Sequence, residues 1–238
     1  MTSLQHCPPN LQTLDCSYNQ LTSLQYCSPN IHTLFCHNNS LTSLYCPNNF
    51  NSDSIRVLSC GGNKLTSLQY CPNNLTSFEC SRNQLTSLQY CPESLEELNC
   101  SSNQLTSLQY CPNNIRVLYC DHNQLTSLQY CPNNLLELYC DNNRLTSLQQ
   151  CPRTLKKLCC WDNPLSSKYQ NKILKQIKLI NYINEFRKGF NIVNKLIKNQ
   201  KSSIIQRCWD NYWYRPDEHG ISRHALRGLE IMKVDGIM

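Results

Sequence analysis

An asparagine returns at a fixed interval along most of this 238-residue chain, and nothing else restricts the fold as severely. Asn19, Asn39, Asn63, Asn83, Asn103, Asn123, Asn143 and Asn163 recur every twenty residues, with one interval of twenty-four. Around each lies the frame L-x-x-L-x-C-x-x-N-x-L. One copy runs Leu95, Leu98, Cys100, Asn103, Leu105, and the next runs Ile115, Leu118, Cys120, Asn123, Leu125. Between frames comes a nearly copied connector, as in Leu105-Thr106-Ser107-Leu108-Gln109-Tyr110-Cys111-Pro112-Asn113-Asn114. A period of this size marks a stack of small units, each touching only its neighbours.

The end of each frame alternates apolar and polar side chains, the pattern of a short half-buried strand. One such strand cannot bury its apolar side alone. Eight of them stacked as a parallel sheet, at about 4.8 Å per coil, form an arc roughly 40 Å long with one continuous core. Each return path is about ten residues long and carries Pro72, Pro92, Pro112, Pro132 or Pro152. Proline inside so short a return excludes a long helix and predicts an extended or polyproline-like convex side. The longer interval, Cys46 to Ile55, is expected to bulge outward there as a loop.

The frame, which covers about residues 11–165, resembles that of leucine-rich-repeat proteins. Its twenty-residue length and L-T-S-L connector are similar to the short repeats of bacterial type III effectors. The cysteine-rich variant, followed by a basic, Trp/Tyr-rich tail, resembles the repeat proteins of giant DNA viruses. The resemblance implies a leucine-rich-repeat solenoid over residues 1–165, with eight coils and an N-terminal partial coil. It also implies that the asparagine column points inward and bonds backbone groups that each turn leaves unpaired. That structural role has independent sense, since a curved coil buries amides that cannot all join a ladder.

Sixteen of the eighteen cysteines fall into two columns. Cys16, Cys36, Cys60, Cys80, Cys100, Cys120, Cys140 and Cys160 occupy the frame. Cys7, Cys27, Cys46, Cys71, Cys91, Cys111, Cys131 and Cys151 precede the proline region. The expectation is that they serve as compact core hydrophobes. Same-column disulfides are the second reading, opposed by demanding strand geometry and by a reducing compartment. A zinc site is the third, and no C-x-x-C pair or Cys/His cluster of ligand spacing supplies it. Cys159, beside Cys160, should point to the opposite face and be exposed.

Charge is divided unevenly. Residues 1–164 hold 8 Lys/Arg against 10 Asp/Glu, whereas residues 165–238 hold 14 against 6. Attraction to nucleic acid or acidic surfaces would therefore reside in the tail. No run of about 18 apolar residues is present. The start, Met1-Thr2-Ser3-Leu4, has neither the basic region nor the apolar core of a signal peptide, so an intracellular chain with reduced cysteines is expected.

Repeats can be compared with one another. The connector barely changes, and variation concentrates at frame positions whose side chains point to the concave face. Glu79, Glu96, Glu97, Asp121, Glu137 and Asp141 gather over the fourth to seventh coils, and Tyr119, Tyr139 and Trp161 form an aromatic row toward the C-terminal end. Exposed aromatics rimmed by charge have the composition of a binding hot spot. These nine residues are the expected contacts for a protein partner presenting a basic or mixed segment, and the expected function is non-enzymatic recognition.

After Pro164 the pattern becomes helical. Ile173, Ile177, Ile180 and Ile183 step by three or four. Ser166 or Ser167 is the expected N-cap, Gly189 an expected break, and two shorter helices are expected over 203–213 and 222–233. Residues 166–238 thus read as a basic helical segment, first of all a cap for the last coil's apolar edge. The alternative reading gives that tail its own activity, with the repeats selecting a target. Cys208-Trp209-Asp210 has the C-x-D spacing of ubiquitin ligases attached to some bacterial leucine-rich repeats. Ile205-Gln206 with Arg215 faintly resembles a calmodulin-binding IQ motif. Basic residues interleaved with Trp209, Tyr212, Trp213 and Tyr214 could stack on nucleobases. No Ser/His/Asp arrangement, phosphate loop or paired-carboxylate site stands out, so neither cofactor nor metal is expected.

Overall fold

The computed structural model describes residues 1–46, 54–172 and 174–198. Eight strands of three residues lie in one parallel sheet, in chain order from edge to edge. They are β1 (Thr13–Asp15), β2 (Thr33–Phe35), β3 (Val57–Ser59), β4 (Ser77–Glu79), β5 (Glu97–Asn99), β6 (Val117–Tyr119), β7 (Glu137–Tyr139) and β8 (Lys157–Cys159). Register is position on position throughout: Leu98 faces Leu118, which faces Leu138. The middle residue of each of the six inner strands is buried, while its two neighbours look out. Period-two alternation therefore decides which side chains enter the core. The leucine, isoleucine and cysteine columns fill that core, with Leu95, Leu98, Cys100, Leu105 and Leu108 all essentially without exposure.

Two backbone devices repeat with the coil. Two residues after each frame cysteine, the chain adopts a left-handed conformation at Tyr18, Asn38, Gly62, Arg82, Ser102, His122, Asn142 and Asp162, with φ between 51 and 63°. Asparagine, aspartate, histidine and glycine tolerate that region best, and five of the eight belong to that set. The kink leads directly into the repeated asparagine. On the return path, Cys111 N–H donates to the Leu108 carbonyl at 2.9 Å, closing a turn at Gln109-Tyr110 that recurs in neighbouring coils. A second, looser turn follows proline, as from Leu135 N–H to Pro132 O at 3.4 Å. The convex side is thus extended chain punctuated by turns, without helix among the described residues. The expected Cys46–Ile55 bulge falls largely on residues outside those described.

The chain divides into two compact units, Met1–Lys178 and Leu179–Met238. Within the first, the repeat is followed by a turn in which the Ser166 carbonyl accepts from Tyr169 and Gln170 N–H. Tyr169 and Ile177 are buried, and Lys178 Nζ donates to the Leu155 carbonyl of the last coil at 2.6 Å. Among the described residues one helix, α1 (Leu174–Lys198), follows. Two sequence expectations need correction here. Neither Ser166 nor Ser167 caps α1, because their turn ends at Asn171 in a left-handed conformation before the helix begins. Gly189 does not break the helix. An interior glycine costs about 1 kcal/mol, which a cooperative helix of 25 residues tolerates. The helices expected over 203–213 and 222–233, and the motifs at Cys208-Trp209-Asp210, Ile205-Gln206 and Trp213, lie outside the described residues.

Candidate functional site: the concave sheet face

Three columns of side chains stand on the concave face. They are the two outward positions of each strand and the position just after each frame cysteine. Parallel, unshifted pairing sets equivalent residues of neighbouring coils side by side, so a difference between coils becomes a gradient along the face.

At the N-terminal end this face is a hydrogen-bonded polar network. Ser17 Oγ and Ser59 Oγ lie 2.9 and 3.4 Å from the same ring nitrogen of His37, Nδ1. Ser59 Oγ donates to Glu79 at 2.8 Å, and the carboxylate also accepts the Gly61 and Ser81 amides, each at 3.0 Å. Gly61 makes this possible, since a Cβ there would collide with the Glu79 carboxylate oxygens. Tyr18 meets His37 edge to face, with ring centroids 5.1 Å apart. A nucleophile–base–acid relay uses both imidazole nitrogens, one toward each partner. Here both serines share one nitrogen and the acid touches a serine, so the geometry is that of a brace between coils. Glu79 is engaged by three donors of the array itself.

The C-terminal half differs. Tyr119 and Tyr139 stack almost parallel, with centroids 4.4 Å apart and planes 12° from each other. Lys157 Nζ sits 4.8 Å from the Tyr139 ring centroid, and the Tyr139 hydroxyl donates to Glu137 at 2.7 Å. Burial, followed by the adjoining Tyr139, pushes the Tyr119 phenol above its ordinary value, while contact with Tyr139 raises Lys157. Ser101 Oγ donates to Asp121 at 2.6 Å, and the Trp161 amide donates to Asp141 at 2.6 Å. Each aspartate thereby keeps one oxygen without a partner among the described residues. Glu97 is exposed beside this platform.

The nine expected contact residues therefore fall into groups. Tyr119, Tyr139, Glu97 and Glu137 come together around the stacked rings, and Asp121 and Asp141 stand in the column after the frame cysteine. Trp161, 71% exposed, occupies the column of Asp141 and makes no ring contact with the two tyrosines. Glu96 precedes β5 and lines a separate open cleft of about 500 Å³ with Arg116 and Leu136. Sequence reasoning passed over Lys157 and His37. Both sit at variable outward positions, and only their neighbours in adjacent coils reveal their partners.

The asparagine column lies beneath this face. Asn103 Oδ1 accepts the Leu85 amide of the preceding coil at 3.0 Å, and its Nδ2 donates to the carbonyls of Cys80, Cys100 and Ser101 at 3.1 to 3.2 Å. The same set recurs at Asn39, Asn63, Asn83, Asn123, Asn143 and Asn163, for example to Leu105, Cys100, Cys120 and Asp121 around Asn123. At the N-terminal end Asn19 Oδ1 receives the terminal ammonium of Met1 at 2.8 Å.

The described cysteines carry thiols rather than disulfides, and fourteen of them are buried. Burial pushes Cys16 up to about 11 and Cys27 and Cys91 up to about 12. A neutral buried thiol is a poor nucleophile. Cys159, expected to be exposed, is half-buried. Alkylation of the native chain, mapped by peptide mass spectrometry, is expected to label Cys7 and Cys159 at least about 100-fold faster than Cys60, Cys80 or Cys120. Equal rates would mean that the columns are open to solvent. No group of three or more His, Cys, Asp or Glu suited to a metal ion occurs among the described residues.

No family model matches the chain, and no curated protein is similar to it. Solved structures are. YopM from Yersinia enterocolitica is 34% identical over 66% of this chain, with a TM-score of 0.59. The functional domain of InlJ from Listeria monocytogenes, described as including a cysteine ladder, is 29% identical over 71% of the chain, with a TM-score of 0.56. A Shigella effector leucine-rich-repeat domain, 22% identical with a TM-score of 0.50, shares the fold, covering 70% of this chain and 66% of that one. The chain spans 34% of the length of YopM and 38% of that of InlJ. No helix among the described residues is long and apolar enough to cross a membrane. Repeating frame, sequential parallel sheet and structural neighbours agree: the chain is a leucine-rich-repeat protein.

Proposed function

We propose that the array is a non-enzymatic recognition module that binds a protein segment of basic or mixed charge along the concave face, from the fifth coil to the eighth. The stacked Tyr119–Tyr139 pair carries this reading. Two aromatic rings held face to face by the sheet register form a rigid platform, which loses little entropy when a partner covers it. Glu97, Glu137, Asp121 and Asp141 border the platform with acid, and Lys157 adds one cation, a combination that favours basic or mixed ligands. Solenoids of this class generate extended concave surfaces suited to such a ligand. Residues 166–178 serve as the cap of the last coil, through buried Tyr169 and Ile177 and the Lys178 bond to Leu155.

Tyr119→Ala, Tyr139→Ala and Trp161→Ala combined are expected to abolish recovery of the partners captured by the full chain and identified by mass spectrometry. Circular dichroism should remain that of the folded array, because all three side chains lie outside the core. Full recovery of the same partners by the triple variant would refute the concave-face reading. Single replacement of Glu79 should leave capture intact, since its oxygens already serve Ser59, Gly61 and Ser81.

A further inference from the structure

A second surface belongs to the connector, which is nearly identical from coil to coil. Tyr26, Tyr45, Tyr70, Tyr90, Tyr110 and Tyr130 occupy six successive coils, each between 44 and 56% exposed. His6 and Gln150 replace tyrosine at the two ends. The connector bearing Tyr45 is one residue shorter than the others, yet its ring still meets Tyr70 edge to face at 5.0 Å.

Neither core nor turn requires tyrosine there. The rings are outside the core, and four of the six residues hold φ between 67 and 71°, a region that favours glycine or asparagine. In these turns tyrosine stands at the third position of a type II pattern, as where Cys91 N–H donates to Leu88 O at 2.9 Å. A large aromatic repeated at a conformationally unfavourable and exposed place calls for a role outside folding.

We infer that this tyrosine ladder is a self-association surface, and that its occupant is the same ladder of a second copy of the chain. Three observations select that occupant. Only a partner that repeats at the same coil interval can meet successive rungs in step, and a second copy has that interval by construction. Among the described residues the rows beside the ladder are mostly uncharged amides such as Gln109, Gln129, Asn113 and Asn133, with Glu93 and, at the C-terminal end, Arg153 the charged exceptions, so like meets like with little repulsion. Half-exposed tyrosines offer about 100 Å² apiece, so that six rungs with their flanking amides approach the roughly 800 Å² per partner of a stable interface. A two-fold axis across the ladder would interleave the rungs of two antiparallel copies, leaving both concave faces available.

Sedimentation velocity of the full chain in reducing buffer tests this. The wild type is expected to dimerise at micromolar concentration, with an affinity insensitive to salt. Tyr70→Asn, Tyr90→Asn and Tyr110→Asn combined should weaken the dimer at least about 100-fold. Asparagine accepts the left-handed conformation, so at concentrations well below the wild-type dissociation constant, where both chains are monomers, the variant should melt at or above the wild-type temperature, which separates lost association from lost folding. A wild type that stays monomeric, a triple variant that dimerises unchanged, or a dimer dissolved by salt would each overturn the inference. So would a monomer whose ladder instead retains a neutral glycan.

Discussion

Raising the pH through 9 to 10 in the presence of reductant is expected to unfold the array cooperatively. Thirteen buried cysteines have their thiol ionisation pushed above the ordinary value of 9.0, chiefly by desolvation. The value stands at about 12 at Cys27, Cys91 and Cys151 and higher at the more deeply buried Cys60, Cys80 and Cys120. The folded values are raised, so the unfolded chain ionises first. The stability these thiols confer is whole below pH 9 and is lost as pH climbs toward the folded values. Each thiol surrenders about 1.4 kcal/mol per pH unit once above its unfolded value. Thirteen acting together cost roughly 5 kcal/mol at pH 9 and nearly 20 kcal/mol by pH 10, against a total stability of about 5–15 kcal/mol. Far-ultraviolet circular dichroism should show a midpoint between these values, reversible on returning to neutral pH. Native ellipticity maintained well above pH 10 would contradict the account. Cys80→Ala and Cys100→Ala each remove one titrating group, so their unfolding transitions should be less steep in pH despite lower stability at pH 7.

Asn103→Ala should be the most damaging single substitution of a polar residue in the array, costing about 3–5 kcal/mol in urea denaturation. The reason lies in the number of groups it strands. The Leu85 amide and the carbonyls of Cys80, Cys100 and Ser101 would all lose their side-chain partner beneath a face that water does not reach. Asn103→Asp is nearly as harmful, because the carboxylate cannot donate to three carbonyls. Asn19→Ala should cost markedly less. Asn19 is half-buried, and its Nδ2 donates only to the Cys16 and Ser17 carbonyls of its own coil. Equal losses at Asn19 and Asn103 would indicate that the column does not tie coil to coil.

The legibility of this protein follows from its repetition. Spacing and alternation in the chain specify the number of strands, their parallel order and the buried leucine and cysteine columns. A twenty-residue unit with one short strand has few ways to cover its apolar side except by stacking on its own copy. Outward positions were legible only as a list of variable residues. Whether a given side chain faces a partner or braces its own scaffold depends on the neighbouring coil, twenty residues away. Glu79 and Glu137 are both acids at outward strand positions, and the chain alone does not tell what each will meet. One accepts three internal donors, and the other borders an open aromatic platform.

The sequence by itself determined the solenoid, because periodicity is a local and additive property that every coil restates. Tertiary structure alone decided which asparagine oxygen meets which amide, which carboxylates remain available, and that the copied connector turns its tyrosines outward, four of the six in left-handed turns. Those features depend on distances and dihedral angles between coils, and a one-dimensional pattern does not contain them. The physical cause is the same in each case. Burial is set by the period, whereas hydrogen-bond satisfaction and exposure are set by how one coil rests on the next.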